Sequence, residues 1–350
     1  MNGTEQRNLT GPPSKVLTTR EEVYIALHTI AAFFSLTGNC LVGVVFIRNN
    51  GGRVRNTNNA LLINLSAAVI LYTCNNYTMT IHSIVRGQMR WELKGLIGEI
   101  TCRLELVLMY ALFLSCHLSV LTIAIERFLI VCFPLSWIVT STLIKAMIAS
   151  TWLGSLLLYS PFLYLGNVRH VYGMTRCFVR FVPDITTPFF KVELAVLLAV
   201  IVALLLIYLV ILCRLYTRNV PGQPLHAQRR MSNRVNRKVT QRVALILVLF
   251  YSCWLPFNLL NAFHFADKLE IVMHPAYSFS VEFLPFLYGA LCPWIFPLLH
   301  EDFRQGMMVL LCCNRRRRRT SVCQMQMSRS HVSNSVAVPN GQVTTLSIIQ

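Results

Sequence analysis

Residues 195–212 read AVLLAVIVALLLIYLVIL, an unbroken apolar run with no charge in it. An apolar helix needs about 20 residues to cross the hydrocarbon core of a bilayer, and this run sits inside an apolar stretch over 188–216. A helix apolar on every face has nowhere to rest in a small water-soluble domain. Composition agrees: 55% of the 350 residues are apolar and 13% are charged, against about a quarter charged in soluble chains. A water-soluble enzyme is excluded on these grounds, and the chain reads as an integral membrane protein.

Further runs of this kind fall at 24–47, 60–82, 100–132, 145–165, 240–265 and 274–299, which makes seven. The third carries Glu105, His117, Glu126 and Arg127, charges that require shielding from lipid. The many short alternating segments of a membrane β-barrel are missing. The expected fold is an all-α membrane protein, a seven-transmembrane helix bundle over 23–300. An extracellular segment precedes it over 1–22. A short amphipathic eighth helix over 301–313 and a disordered cytoplasmic tail over 314–350 follow.

The net charge of +18 is unevenly placed. More than half of the 32 Lys and Arg lie in the linkers after the odd-numbered spans and in the tail, including Arg315 to Arg319. Positive charge collects on the cytoplasmic side, so the amino terminus is outside and the carboxyl terminus inside. The arginine run then faces an anionic inner leaflet, and no nucleic acid is needed to explain it. Residues 1–21 are polar, so the first helix is expected to act as its own insertion signal. Asn2 and Asn8 head glycosylation sequons on the outer segment, whereas the sequons at Asn64 and Asn76 lie inside the second span and are chance.

Of twelve cysteines, only Cys102 and Cys177 fall outside by this topology. An oxidising exterior favours a bridge between them, tying the top of the third helix to the second outer loop. Cys40, Cys74, Cys116, Cys132, Cys213, Cys253 and Cys292 read as small buried hydrophobes. Cys312 and Cys313 follow the stretch from His300 to Leu311 and are candidates for palmitoylation. No zinc-ligand spacing, hydrolase elbow, phosphate loop or metalloprotease motif occurs, so neither a metal, a cofactor nor an enzymatic activity is expected.

Several local motifs stand in order along the chain. Gly38-Asn39 lies in the first span and Asn64-Leu65-Ser66 in the second. Cys102 opens the third, which closes on Glu126-Arg127-Phe128 before Pro134-Leu135. Trp152 and Pro161 follow, then Phe250-Tyr251-Ser252-Cys253-Trp254-Leu255-Pro256, then Cys292-Pro293-Trp294-Ile295-Phe296 and Phe303-Arg304. Together they resemble a rhodopsin-like (class A) G-protein-coupled receptor over about residues 22–313.

That resemblance implies a receptor in the plasma membrane that signals to a heterotrimeric G protein. It implies roles in activation and coupling for Glu126, Arg127, Phe128, Tyr208, Phe250, Trp254, Pro256, Pro293 and Phe296. Glu126 and Arg127 would pair in the resting state and part on activation. Pro256 removes a backbone hydrogen bond and so supplies a hinge beside Trp254. Receptor kinases, arrestin and membrane lipid are further implied partners of the tail.

The sequence also departs from the family pattern. Val69 stands where the second helix usually carries Asp, and Cys116, Tyr288 and Gly289 replace other polar core residues. Cys292 and Phe296 replace Asn and Tyr around Pro293, and Val200 replaces a proline. A sodium pocket needs hard oxygen ligands around a carboxylate, so no sodium site is expected. Without a hydroxyl at Phe296, the family's water-bridged contact to Tyr208 cannot form.

On the ligand side, Met109 and Tyr110 stand where an amine receptor has Asp, and Phe286 where an opsin has its lysine. Glu282 is placed as in chemokine and some peptide receptors, and could receive a ligand's ammonium or be paired with Arg86 or Arg103. Lys191, Glu193, Asn261 and His264 are candidates to rim the same cavity, with Trp254 at its floor. A peptide is the leading ligand class. Small molecules and odorants, a non-signalling decoy, and a transporter are the alternatives.

Overall fold

The computed structural model describes residues 17–49, 57–86, 91–133, 138–171, 174–217, 245, 247–259, 275–299 and 303. Helix α1, Thr19–Asn49, begins ahead of the expected 24 because its first turn is closed by side chains. Thr18 Oγ1 accepts from the Glu21 N–H at 3.3 Å, and Glu21 Oε2 accepts from the Thr18 N–H at 3.0 Å, a reciprocal capping box. Helices α2, Thr57–Arg86, and α3, Gly95–Cys132, also outrun the apolar cores read from sequence. Spans are recognised by apolar residues, whereas helices continue into polar flanks as long as backbone groups remain paired.

The fourth expected span, 145–165, keeps its end at Leu165 but starts earlier, at Ser141, and is built from two helical pieces. Helix α4, Ser141–Tyr159, starts at an N-cap in which Thr140 Oγ1 accepts from the Leu143 N–H at 3.1 Å. It stops before Pro161, which opens a separate helical turn, Phe162–Leu165; proline has no N–H to continue the ladder. Helix α5, Pro183–Thr217, holds the long apolar run. Helix α6, Leu247–Leu259, is the described part of the sixth span, and α7, Pro275–Leu299, is the seventh. Five of these helices are long and apolar enough to cross a membrane within the described residues.

One element was not anticipated. Strands β1, Gly166–Val171, and β2, Met174–Val179, form an antiparallel hairpin with Val168 opposite Cys177 and Arg169 opposite Arg176. Cys177 is bonded to Cys102 on α3, as the count of outer cysteines implied. The Trp91 N–H donates to the Thr175 carbonyl at 2.7 Å, so the linker before α3 is laid along the hairpin.

Helix α3 runs through the middle, against α2, α4 and α5, while α1 packs on α2 and α7. Two glycines set the closeness of α1 and α7. A Cβ on Gly38 would stand 2.8 Å from Pro293 Cβ, and one on Gly289 would stand 2.5 Å from Ser35 Oγ. Small residues at a crossing let membrane helices approach, since lipid supplies no hydrophobic drive between them. Asn39 Nδ2 crosses that contact to the Gly289 carbonyl at 3.2 Å. The expected sequons Asn2 and Asn8, the loop residues Asn261 and His264, Pro134 and Leu135, and Cys312 and Cys313 lie outside the described residues. So does most of the expected eighth helix, of which Phe303 is described, helical and buried 5.5 Å from the Phe46 ring.

Candidate functional site

Three layers lie along the axis of the bundle. The outermost is a cavity of about 220 Å³ between α2, α3 and the hairpin, lined by Met79, His82, Trp91, Glu105, Met109 and Cys177 among others. Its polar end is already ordered. Asn75 donates to Glu105 Oε1 at 2.7 Å, and Glu92 holds Arg86 at 3.4 Å and His82 at 3.6 Å. Of the expected ligand residues, Met109 lines this cavity.

Tyr110 and Glu193 are brought together elsewhere, between α3, α4 and α5. Glu193 is buried and accepts from the Tyr159 hydroxyl at 2.8 Å, and Tyr110 lies 5.4 Å from the Tyr159 ring and 5.0 Å from Phe162. Glu193 is thus held inside the helix packing, not at an open rim. Lys191, two residues earlier on α5, is exposed. Glu282 is exposed on α7. Arg86 pairs with Glu92, and Arg103 with Glu99 at 3.0 Å, so neither of the arginines weighed as its partner is taken up by Glu282.

The middle layer is aromatic. Trp254 is 1% exposed and is ringed at 5.0 Å by Tyr72 of α2, at 5.2 Å by Phe113 and 5.1 Å by His117 of α3, and at 6.3 Å by Tyr288 of α7. Phe250, one turn inward, meets His117 at 4.7 Å and Tyr288 at 5.2 Å. A displacement of Trp254 therefore presses on three neighbouring helices at once, because close-packed interiors transmit strain. The sequence presents His117 only as one of four residues of the third span that require shielding from lipid, and here it packs against Phe113, Phe250 and Trp254 within this layer. Its Nδ1 faces the Phe113 carbonyl at 3.0 Å, a contact open to any helical histidine, so no signal in the sequence marked it out.

The polar core positions are filled as the departures suggested. Val69, Cys116 and Cys292 are buried, and the Cys292 thiol donates to the Tyr288 hydroxyl at 3.5 Å. Ser35 and Thr73 share a hydrogen bond of 2.9 Å between α1 and α2. Deeper, Asn64 bridges three helices: its Nδ2 donates to Ser119 Oγ at 2.9 Å and its Oδ1 accepts from Trp152 Nε1 at 2.8 Å. An Asn and a Trp separated by 88 residues give no local sign of pairing.

The innermost layer holds the ion pair. Arg127 Nε stands 3.1 Å from Glu126 Oε2, with the Glu126 side chain 1% exposed and that of Arg127 22% exposed. Among the described residues neither carboxylate oxygen has a hydrogen-bond partner, so the contact with Arg127 is charge to charge without an aligned N–H. Adjacent helical residues do not face one another, which explains the poor alignment. Phe128 lies 6.1 Å from Phe133. Tyr208 and Tyr251 line a lipid-side cavity of about 430 Å³ between α5 and α6. Pro293 is buried against Gly38, and the Pro256 carbonyl accepts from Tyr277 at 2.7 Å. Phe296 lies in α7, and nothing is described of its side chain.

Comparison with known proteins bears on these layers together. Residues 38–296 match the family described as 7 transmembrane receptor (rhodopsin family). The Homo sapiens substance-K receptor is 25% identical over 315 residues, covering 81% of this chain and 76% of that one. The Danio rerio galanin receptor 2a is 26% identical over 320 residues, covering 87% of this chain and 82% of that one.

Proposed function

The chain belongs to the rhodopsin family of seven-transmembrane receptors, and from that premise we propose that a peptide reaching the outer cavity drives its signalling. It is a multi-pass plasma-membrane receptor that acts through heterotrimeric G proteins and is not an enzyme. The relatives named for substance K and galanin support a peptide as the ligand class.

The observation that carries the mechanism is the packing of Trp254 against α2, α3 and α7, between the outer cavity and the inner ion pair. A ligand seated on Met109 and its neighbours bears on α2 and α3, and the Tyr72 and Phe113 rings pass the displacement to Trp254. Pro256 lies two residues further out and leaves α6 short of one hydrogen bond, so the helix bends there. The inner end then moves off α3, and Arg127 leaves Glu126 for the G protein. Binding energy acts on this equilibrium only through its difference between the two states.

The apolar replacements at Val69 and Cys292 remove polar ties of the closed state, so the receptor also signals without ligand. Receptor kinases and arrestin act on the Ser- and Thr-rich tail beyond Arg319, and palmitoyl groups on Cys312 and Cys313 hold its start at the membrane. Glycans sit on Asn2 and Asn8. A second reading, a receptor that binds without signalling, is favoured by Val69, Cys292 and Phe296, and Arg127 weighs against it. The deciding experiment expresses the receptor in cells carrying sensors for the four G-protein classes and screens peptide libraries beginning with substance K and galanin. Activation that disappears in Arg127→Ala at matched surface density is the expected result. Peptide binding with no activation in any class would replace it by the decoy reading.

A further inference from the structure

Directly opposed residues of an antiparallel pair share a face, and this hairpin opposes Arg169 with Arg176. Cys177 is bonded down to Cys102, so the face of Val168 and Cys177 is turned to α3. Strand alternation then puts Arg169, Arg176 and Phe178 on the opposite, outward face. The chain stays extended past β2, where the Arg180 N–H donates to the Leu165 carbonyl at 2.7 Å. The same two-residue period returns Arg180 to the face of Arg176 and Phe178.

Among the described residues, two of these guanidinium groups meet rings and none pairs with an acid. Arg169 lies 6.0 Å over the Phe178 ring and Arg180 5.0 Å over the Tyr164 ring. Among the described residues, the Nε atoms of Arg176 and Arg180 have no hydrogen-bond partner and are shielded from solvent, which leaves the outer nitrogens of each guanidinium to meet a ligand. No Asp or Glu occurs between Gly166 and Pro183. The carboxylates nearest along α3 and its preceding linker are occupied, Glu99 by Arg103 and Glu92 by Arg86. Like charges placed directly opposite destabilise a hairpin, so this face is one that an anionic partner would stabilise.

We infer that the outward face of the β1–β2 hairpin binds an acidic, extended segment of the peptide ligand, with carboxylates meeting Arg169 and Arg176 on one side of Phe178 and Arg180 on the other. The inference rests on the ligand being a peptide. An extended strand repeats every two residues at about 6.7 Å, the same period as Arg176, Phe178 and Arg180, and arginine forks pair carboxylates in two-pronged fashion. The receptor's own first sixteen residues are a poor occupant, since Glu5 is outnumbered by Arg7 and Lys15. A membrane surface is a poor one too, because the anionic leaflet is the cytoplasmic one.

The test uses the full-length receptor in phosphatidylcholine nanodiscs and fluorescein-labelled acetyl-(Glu-Ser)4-amide, with the (Lys-Ser)4 peptide as control, read by anisotropy. The acidic probe should bind at least tenfold tighter than the basic one. Arg169→Gln with Arg176→Gln should weaken it at least tenfold while surface level is unchanged. Arg169→Glu with Arg176→Glu should reverse the preference, a result that misfolding cannot mimic. Equal binding of the two probes, or acidic binding undiminished in the Gln pair, overturns the inference. Binding of a heparin octasaccharide with no binding of the acidic probe also overturns it, reassigning the face to polysaccharide. Probe binding with no peptide activating any G protein would leave this surface standing and sink the signalling proposal. Peptide agonists indifferent to the Gln pair would do the reverse.

Discussion

Replacing Glu126 by Gln should raise ligand-independent signalling five- to tenfold. At 3.1 Å the pair's gross attraction is about 5 kcal/mol at an effective dielectric of 20. The two residues are neighbours in sequence, so activation does not remove the charge but lets the guanidinium swing to roughly 7 Å, where about 2 kcal/mol remains. The difference of about 3 kcal/mol is offset in part by water, since Arg127 is already 22% exposed and gains hydration as it moves. A net restraint of about 1 kcal/mol remains, which is a fivefold change in the ratio of closed to open states, and 1.4 kcal/mol would make it tenfold. Glutamine keeps the shape and loses the charge. The assay is nucleotide exchange on purified G protein in membranes with matched receptor density, for parent, Glu126→Gln, and Glu126→Gln with Arg127→Ala. The double variant should fall to the level of membranes without receptor. Basal exchange in Glu126→Gln at or below the parent would refute the idea that this contact restrains the receptor.

Cys102→Ser or Cys177→Ser frees the hairpin from α3 and should lower surface expression or ligand response, read by flow cytometry and dose response; two fully responsive single variants would contradict it. Agonist affinity should be indifferent to replacing sodium by a large organic cation at constant ionic strength, because Val69, Cys116 and Cys292 offer no hard oxygen; a saturable, sodium-selective loss of affinity would count against this. Gly289→Val drives a side chain into Ser35 and should lower the thermal midpoint in detergent by several degrees, with a cost of about 1–3 kcal/mol typical of overpacking. Truncation after Arg319 should prolong signalling and slow internalisation by removing the phosphorylatable tail, measured by receptor uptake after agonist.

The bundle was legible because spanning a bilayer leaves the backbone few options, and the apolar runs announce themselves. The pairing of Cys102 with Cys177 was legible for a similar reason, compartment having removed every other candidate. The hairpin was not, although Val168 to Val171 and Thr175 to Val179, each bounded by β-branched residues, flank Gly173. Reading for twenty-residue spans passes over six-residue strands. Glu193 was assigned to an open rim, because sequence gives a residue's helix but not which neighbour it meets; Tyr159 decides that. The bridge from Trp152 through Asn64 to Ser119 was beyond reach, since each residue has an ordinary local reason to be where it is. Family motifs supplied the residues expected to act in activation, and only the structure showed His117 packed against two of them, Phe250 and Trp254.

The kinds of contact are unevenly shared among the helices. Oriented hydrogen bonds bind α1 to α2 and α7, and α2 to α3 and α4, through Ser35, Asn39, Asn64, Asn75 and Trp152. Among the described residues, the side-chain hydrogen bond that reaches α6 from another helix comes at its outer end, from Tyr277. Along the rest of its described length α6 meets its neighbours through rings and apolar side chains, which tolerate rotation and slip far better than a hydrogen bond does. The protein is therefore built as a stator and a lever. Among the described residues six helices share a latticework that resists shear, α5 being tied in by Tyr159 and Glu193, whereas α6 is pinned near its top and lubricated along the rest of its described length. Such an arrangement fixes which part moves before any ligand arrives, and leaves the ligand to decide only how often.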